Sequence, residues 1–354
     1  MSHSFLFRSC VLFACVVCLA SVSVAAQGSP AEDDAWTPPR TENGRPDLQG
    51  VWDFRTLTPL QRPTSQESAV LTEEEAAEVE SSSAERAIKA DEASEVRSEP
   101  LPAGGNVGAY NNYWFDRGAR VVDDHRTSLI VDPPNGRIPD RLPGVQEQVA
   151  GDDKPSDRPV RLRVGGIGLD GPEDRGTSER CMLGFNAGPP ITPGGYNQNV
   201  QIFQTADYVA ILTEMVHDTR IVPLDGRPHL PDGIRQWKGD SRGYWDGDTL
   251  VVETRNFTDK TPSFSANVVT SYGSGESMNL TERFRRVDDD TLLYEFTIND
   301  PTTFTSPFTA ILQMKQNEWP LFEYACHEGN YGLYNLLSGA RAKERAEAQE
   351  SSGD

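Results

Sequence analysis

The second half of the chain is a succession of short apolar runs separated by turn residues, with no helix-period segment between them, and this pattern most limits the possible folds. From Gln198, NVQIFQTADYVAILTEM reads as strand, tight turn and strand, and TRIVPLDG adds another strand. RGYWDGDTLVVETRNF is a hairpin around Asp246-Gly247, and LTERFRRVDDDTLLYEFTIND is a second one turning at Asp288-Asp289-Asp290. FTAILQMKQNEWPLFEYAC reads as a third, turning near Asn317. β-Branched and aromatic residues bounded by Asp, Gly and Asn are the chemistry of strands joined by tight turns. Parallel strands would need helical crossovers, so the sheet is expected to be antiparallel. An up-and-down sheet curling into a β-barrel-like domain is the natural solution, because closure removes edge strands. LLYEF and TLVVET alternate only in part, which leaves open whether the interior is filled or hollow.

The first half supplies less. Residues 27–49 are polar and proline-rich, an extended lead-in before the strand GVWDF. Thr72 and Glu75 form a capping box at the head of an alanine- and glutamate-rich stretch, predicting a surface helix over about 72–97. Residues 100–195 are rich in glycine, proline and aspartate and read as long loops, with one short strand at TSLIVDPP. YGLYNLLSGARAKERAE predicts a short C-terminal helix. The expected organisation is a single β-rich domain over 50–338, followed by a polar helical or disordered tail at 339–354.

Residues 1–26 have the three parts of a secretory leader: Arg8, an uncharged apolar run too short for a bilayer, and Val24-Ala25-Ala26 ahead of Gln27. An uncleaved anchor is the alternative, and a lipoprotein at Cys18 is disfavoured by Cys15-Val16-Val17 before it. The expectation is export to the periplasm or the extracellular space, with no membrane span in the mature protein. Cleavage removes Cys10, Cys15 and Cys18 and leaves Cys181 and Cys326. Two cysteines in an oxidising compartment are expected to pair; free thiols, catalysis or a metal site are the alternatives. The formal charge is −21, or −22 once Arg8 is lost, which makes nucleic acid and anionic lipid poor partners.

GVW near the start followed by a meander of hairpins is similar in layout to lipocalin and calycin barrels. GRPDLQGVWDF, RTSLIVDPPNGRIP, DGPEDR, ERC, EMVHDTRIVPLDGRPH, GDSRGYWDGDTLVVET, ERFRRVDDDTLLYEFTINDP and EYACHEGNYG resemble the recurrent phrases of a large uncharacterised family of exported bacterial proteins. That resemblance implies export, one integrated domain and places to look for a site. It implies no reaction.

Two patterns with chemical associations occur in unsuitable contexts. GIGLDG at 166–171 matches a dinucleotide fingerprint but runs into Pro172 and acidic residues rather than a helix. GDSRG at 239–243 matches a nucleophile elbow, yet leads into a hairpin instead of a helix. Past the leader the histidines are His125, His217, His229 and His327. His217, His327 and Glu328 are the candidate acid–base residues, since an imidazole titrates near ambient pH. Arg220, His229, Asp240, Ser241, Arg242, Trp245 and Tyr331 are the candidate ligand-binding residues, with the arginines suited to a carboxylate or other oxyanion. For each, a plain role in fixing a loop or filling the core is the alternative. The spacing of His217 and His229 matches no compact zinc motif, so neither a metal nor a cofactor is implied. The expected function is binding of a small organic ligand at the barrel mouth. A cofactor-independent hydrolase or lyase with a histidine base is the alternative, and a structural or envelope-interaction role the third. Convergence of His217, His229, Arg242, His327 and Glu328 on one pocket would favour catalysis. Their scatter around an apolar cavity would favour binding, and their scatter over a filled barrel would favour the structural or envelope-interaction role. Oligomeric state is not readable from the sequence.

Overall fold

The computed structural model describes residues 36–92, 99, 115–151 and 159–352. The expected leader, the lead-in up to residue 35 and residues 93–97 of the 72–97 stretch lie outside the described residues. The fold is that of the unit Thr37–Asp354. In chain order it contains β1 (Gly50–Asp53), α1 (Glu73–Asp91), β2 (Ile130–Asp132), β3 (Glu147–Val149), β4 (Asn199–Gln204), β5 (Tyr208–Thr213) and β6 (Asp218–Pro223). There follow β7 (Asp240–Asp246), β8 (Thr249–Arg255), β9 (Phe264–Asn267), β10 (Thr270–Tyr272), β11 (Asn279–Arg286), β12 (Thr291–Asn299), β13 (Phe308–Asn317) and α2 (Tyr331–Ser352).

Nine strands form one antiparallel path in the order β6-β5-β4-β1-β13-β12-β11-β8-β7, with β2 as a side partner of β13. The hairpins expected around Asp246-Gly247, around Asp288–Asp290 and between β4 and β5 are all present. Gly247 lies in the two-residue turn with φ +59°, a conformation that glycine adopts without strain. A mainly β, antiparallel architecture with two helices is therefore correct.

Three details differ from expectation. The sheet does not close: β6 and β7 are its two ends and share no ladder. They approach through side chains instead, since a Cβ on Gly243 would lie 2.7 Å from Leu224 Cδ2 and 2.8 Å from Val222 Cγ1. The third hairpin does not form either. β13 already holds β12 along one edge, and β1 and β2 along the other, so a strand after Asn317 finds no free edge. The Asn317 side chain accepts from Trp319 N at 3.1 Å and donates to Asn199 Oδ1 at 3.0 Å, which turns the chain away. Finally, β3, from the stretch read as loops, joins β10 and β9, from a segment given no strand in the sequence reading, in a small second sheet.

The period-2 pattern sets the packing. Leu292, Tyr294, Phe296 and Ile298 of β12 face inward, as do Phe308, Ala310, Leu312 and Met314 of β13 and Leu280 and Phe284 of β11. Phe284 and Tyr294 are cross-strand partners whose rings sit 4.9 Å apart. Trp52 from β1 is fully buried, and its Nε1 donates to Leu48 O at 2.9 Å. The interior of the curled sheet is thus filled with side chains. α1 begins with the expected capping box, Thr72 N donating to Glu75 Oε2 at 2.8 Å and Glu75 N to Thr72 Oγ1 at 3.2 Å. Of its residues only Ala76 is buried, so it lies on the surface.

One polar cluster sits inside this apolar core. Arg220 of β6 makes a two-pronged ion pair with Glu282 of β11, Nη2 lying 2.9 Å from Oε1. Tyr294 Oη donates to the same Oε1 at 2.8 Å and accepts from Ile191 N at 2.9 Å. Burial, and then the adjacent Glu282 carboxylate, push the Tyr294 phenol well above its ordinary value, so it stays protonated as donor. Burial alone would lower the Arg220 pKa, but Glu282 more than offsets it and keeps the guanidinium charged. Removing one partner leaves an uncompensated buried charge, typically worth about 3–5 kcal/mol. Arg220→Met is therefore expected to lose about that much in denaturant unfolding, and Arg220→Met/Glu282→Leu to recover at least half of it. A single variant with near wild-type stability would contradict this view of the cluster.

Candidate functional site

At the end of the sheet where β1 and β8 finish and β11 starts, a cavity of about 420 Å³ opens beneath the loops. Its wall comes from four stretches: 56–60 after β1, 183–194, Trp237, and 257–268 leading into and through β9. Leu57, Leu60, Leu183, Phe185, Trp237, Phe257, Phe264 and Met278 give it an apolar character. Thr58, Thr192, Thr261, Ser263, Asn267, Arg117 and Arg163 add polar points. The sequence places these groups together through the core. Phe257, Phe264 and Met278 belong to the main hydrophobic cluster, and Tyr294 accepts from Ile191 N in the middle of the 188–194 wall.

Arg163 is the chemically unusual member. Its Nη1 donates to Gly184 O at 3.0 Å, while its Nε is buried without a hydrogen-bond partner. Burial lowers its pKa to about 10, which still leaves it charged at neutral pH. Ser263 Oγ is likewise buried without a partner. Lys238 lies close enough to Arg163 to feel its charge; burial lowers its pKa most, and its own partner is Asp218.

None of the residues singled out from the sequence lines this cavity. His229, Asp240 and Arg242 do converge: His229 Nδ1 is 3.0 Å from Asp240 Oδ2, and Arg242 Nη1 donates to Asp240 Oδ1 at 2.6 Å. Leu230 N also donates to Asp240, and Arg242 Nε to Pro228 O, so this group ties the 228–230 loop to the start of β7. His229 Nε2 is buried without a partner, and no substrate atom reaches it as packed. Ser241 points to the opposite face of β7, where its Oγ is 2.9 Å from Thr254 Oγ1; GDSRG is strand, not an elbow. Arg220 is committed to Glu282, and Trp245 packs against the core. His217 is exposed, in a turn before β6 with φ +54°. His327, Glu328 and Tyr331 are exposed in the turn before α2 and at its first residue. A third hairpin through FTAILQMKQNEWPLFEYAC would have put His327 at the exit of a final strand, but β13 ends ten positions upstream at Asn317. The turn's contacts run to the 178–181 segment, with Asn330 Nδ2 donating to Glu179 O at 2.7 Å, rather than to 217–229. Arg163, Ser263 and Trp237 were not legible as a site: they stand far apart in unrelated sequence contexts, and an unpaired arginine is a property of packing.

Cys181 and Cys326 form a disulfide, with Cα atoms 5.7 Å apart. It pins an arm that has few other anchors. Trp319 and Phe322 are mostly exposed, α2 buries no residue, and Arg341 caps the contact by donating to Leu169 O and Asp170 O. Among the described residues no helix is long and apolar enough to cross a membrane, and no group of three or more His, Cys, Asp or Glu is arranged to hold a metal ion.

Closing so long a loop would contribute about 5 kcal/mol if the whole native fold needed the arm in place. Here α2 buries no residue and the arm makes few contacts with the body, so the sheet is expected to stay folded when the arm detaches. Cys326→Ser is therefore expected to cost clearly less than that in global unfolding while sharply raising hydrogen exchange over 318–352. An equally large global loss with unchanged local exchange would show the arm to be integral to the body. His327→Gln, at an exposed position, is expected to change stability by no more than about 0.5 kcal/mol, as read by the same denaturant titration.

In comparisons with known proteins, no protein-family model matches the chain and no curated protein matches it significantly.

Proposed function

We propose that the protein is exported and binds a small, largely apolar organic ligand in the cavity at the sheet end. The observation that carries this reading is the cavity itself: about 420 Å³, walled by aromatic and aliphatic side chains with a few polar groups. That is the size and composition of small-molecule sites. The filled interior of the sheet supports a site at the mouth rather than within, because Trp52, Phe284, Tyr294 and Phe296 are fully buried there in the main hydrophobic cluster. The dispersal of His217, His229 and His327 away from the cavity also favours binding over turnover. A hydrolase or lyase reading would need an accessible base beside the ligand. His229, the one histidine with a carboxylate partner, keeps its other nitrogen sealed. Export rests on the leader-like residues 1–26 and on the resemblance to exported proteins.

The test uses N-phenyl-1-naphthylamine, a neutral apolar dye that brightens on leaving water. One molecule per chain is expected to bind saturably with blue-shifted emission, quenching Trp237 as it does so. Ala266→Trp, which puts a large side chain on the cavity wall, is expected to abolish the signal. Absence of saturable binding, or full binding by the Ala266→Trp variant, would remove the cavity from consideration.

A further inference from the structure

The cavity wall contradicts the composition of the chain. Asp and Glu outnumber Lys and Arg by 54 to 33 overall, yet the wall carries Arg117 and Arg163 and no acidic residue. A neutral ligand would give no reason to exclude carboxylates from one wall of so acidic a protein. An anionic ligand would, because a like charge in a partly desolvated pocket opposes binding by several kcal/mol.

The bonding of Arg163 narrows the class of anion. A guanidinium offers its Nε and Nη2 as a planar fork, matched in spacing to the two oxygens of a carboxylate. This protein uses that fork repeatedly. Arg175 presents it to Glu179 at 2.9 and 3.3 Å, Arg341 presents it to Glu344 with Nε at 2.7 Å, and Arg227 presents it to Asp225 with Nε at 2.8 Å. In Arg163 the same edge holds nothing. Nη1 is spent on Gly184 O, Nε has no partner, and among the described residues no carboxylate stands within ion-pair distance. A half-buried cation with no counter-ion among the described residues is costly to keep, and desolvation has already lowered the pKa of this one.

We infer that the ligand is a monocarboxylate with an apolar body, its carboxylate received by the Arg163 guanidinium at Nη2, the nitrogen that is neither hydrogen-bonded nor sealed, and its body lying against Trp237, Phe257 and Phe264. Arg117 stands at the rim, its guanidinium 4.2 Å over the Phe115 ring, and draws the anion inward from a surface that is otherwise repulsive. This rests on the cavity reading above but is separable from it.

The experiment compares 2-naphthoate with 2-naphthalenemethanol, which share a ring system and differ in charge, by titration calorimetry on the full chain. Wild type is expected to bind the carboxylate at least about tenfold more tightly, the usual scale for a charge-assisted hydrogen-bonded contact. Arg163→Gln is expected to bring the ratio of the two affinities to near one. Arg163→Lys keeps the charge without the guanidinium and is expected to lower the ratio severalfold. Arg117→Gln is expected to lower it by no more than about threefold, with the loss growing smaller at high salt as screening removes the rim contribution. Saturable binding of the neutral dye together with equal affinities for the two naphthalenes would overturn the carboxylate inference alone. Failure of the dye to bind would overturn the cavity reading beneath it. A wild-type preference that survives unchanged in both Arg163 variants would take the role away from Arg163.

Discussion

Arg220 and Glu282 stand on strands that are far apart along the sheet, β6 at one end and β11 next to the far hairpin, and they meet in its interior. Backbone pairing leaves the curled sheet open between β6 and β7, so something else must hold the curl. A two-pronged ion pair within the filled interior joins β6 to β11 where no ladder does, beside the side-chain packing of Val222 and Leu224 at Gly243. Its cost is the desolvation of both charges, and geometry decides whether that cost is met. Here each carboxylate oxygen has a guanidinium nitrogen, Oε1 has the Tyr294 hydroxyl as well, and the aromatic packing of Phe284 and Phe296 excludes water around them.

That same cluster reaches the site. Tyr294 Oη is donor to Glu282 and acceptor from Ile191 N, and Ile191 lies between Pro190 and Thr192 in the cavity wall. A loop rich in glycine and proline has few backbone hydrogen bonds of its own to fix it, and a buried partner gives it a definite position. The cavity therefore owes its shape to groups in the centre of the sheet, although no residue of the ion pair touches it. One hydrogen bond through Tyr294 links the cavity wall to the polar cluster, beside the packing of Phe257, Phe264 and Met278, which belong to both wall and core.

The C-terminal arm follows the opposite logic. It leaves β13 because the strand has no free edge, crosses to the 178–181 segment, and is fixed there by a disulfide and a few hydrogen bonds. A covalent tie substitutes for packing where little apolar surface is buried. Trp319, Phe322, Tyr331 and Tyr334 stay exposed on it.

The strands of the main sheet, the Asp246-Gly247 hairpin, the Thr72–Glu75 cap and the cysteine pairing were legible in the chain, because each depends on neighbours in sequence or on a count of two. Alternating residues of β12 and β13 declare an inward face, and a turn residue declares where a hairpin bends. What the tertiary structure decided was everything that depends on which edges are already taken. β1 inserts between β4 and β13, so the run after Asn317 cannot pair and His327 ends in an exposed turn. GDSRG continues a strand because β8 lies beside it, which sends Ser241 to Thr254. Arg163 was invisible for a deeper reason. An arginine in a loop-rich stretch looks like any other until the positions of all possible counter-ions are known, and the absence of a partner is a property of the whole fold, never of a local string of residues.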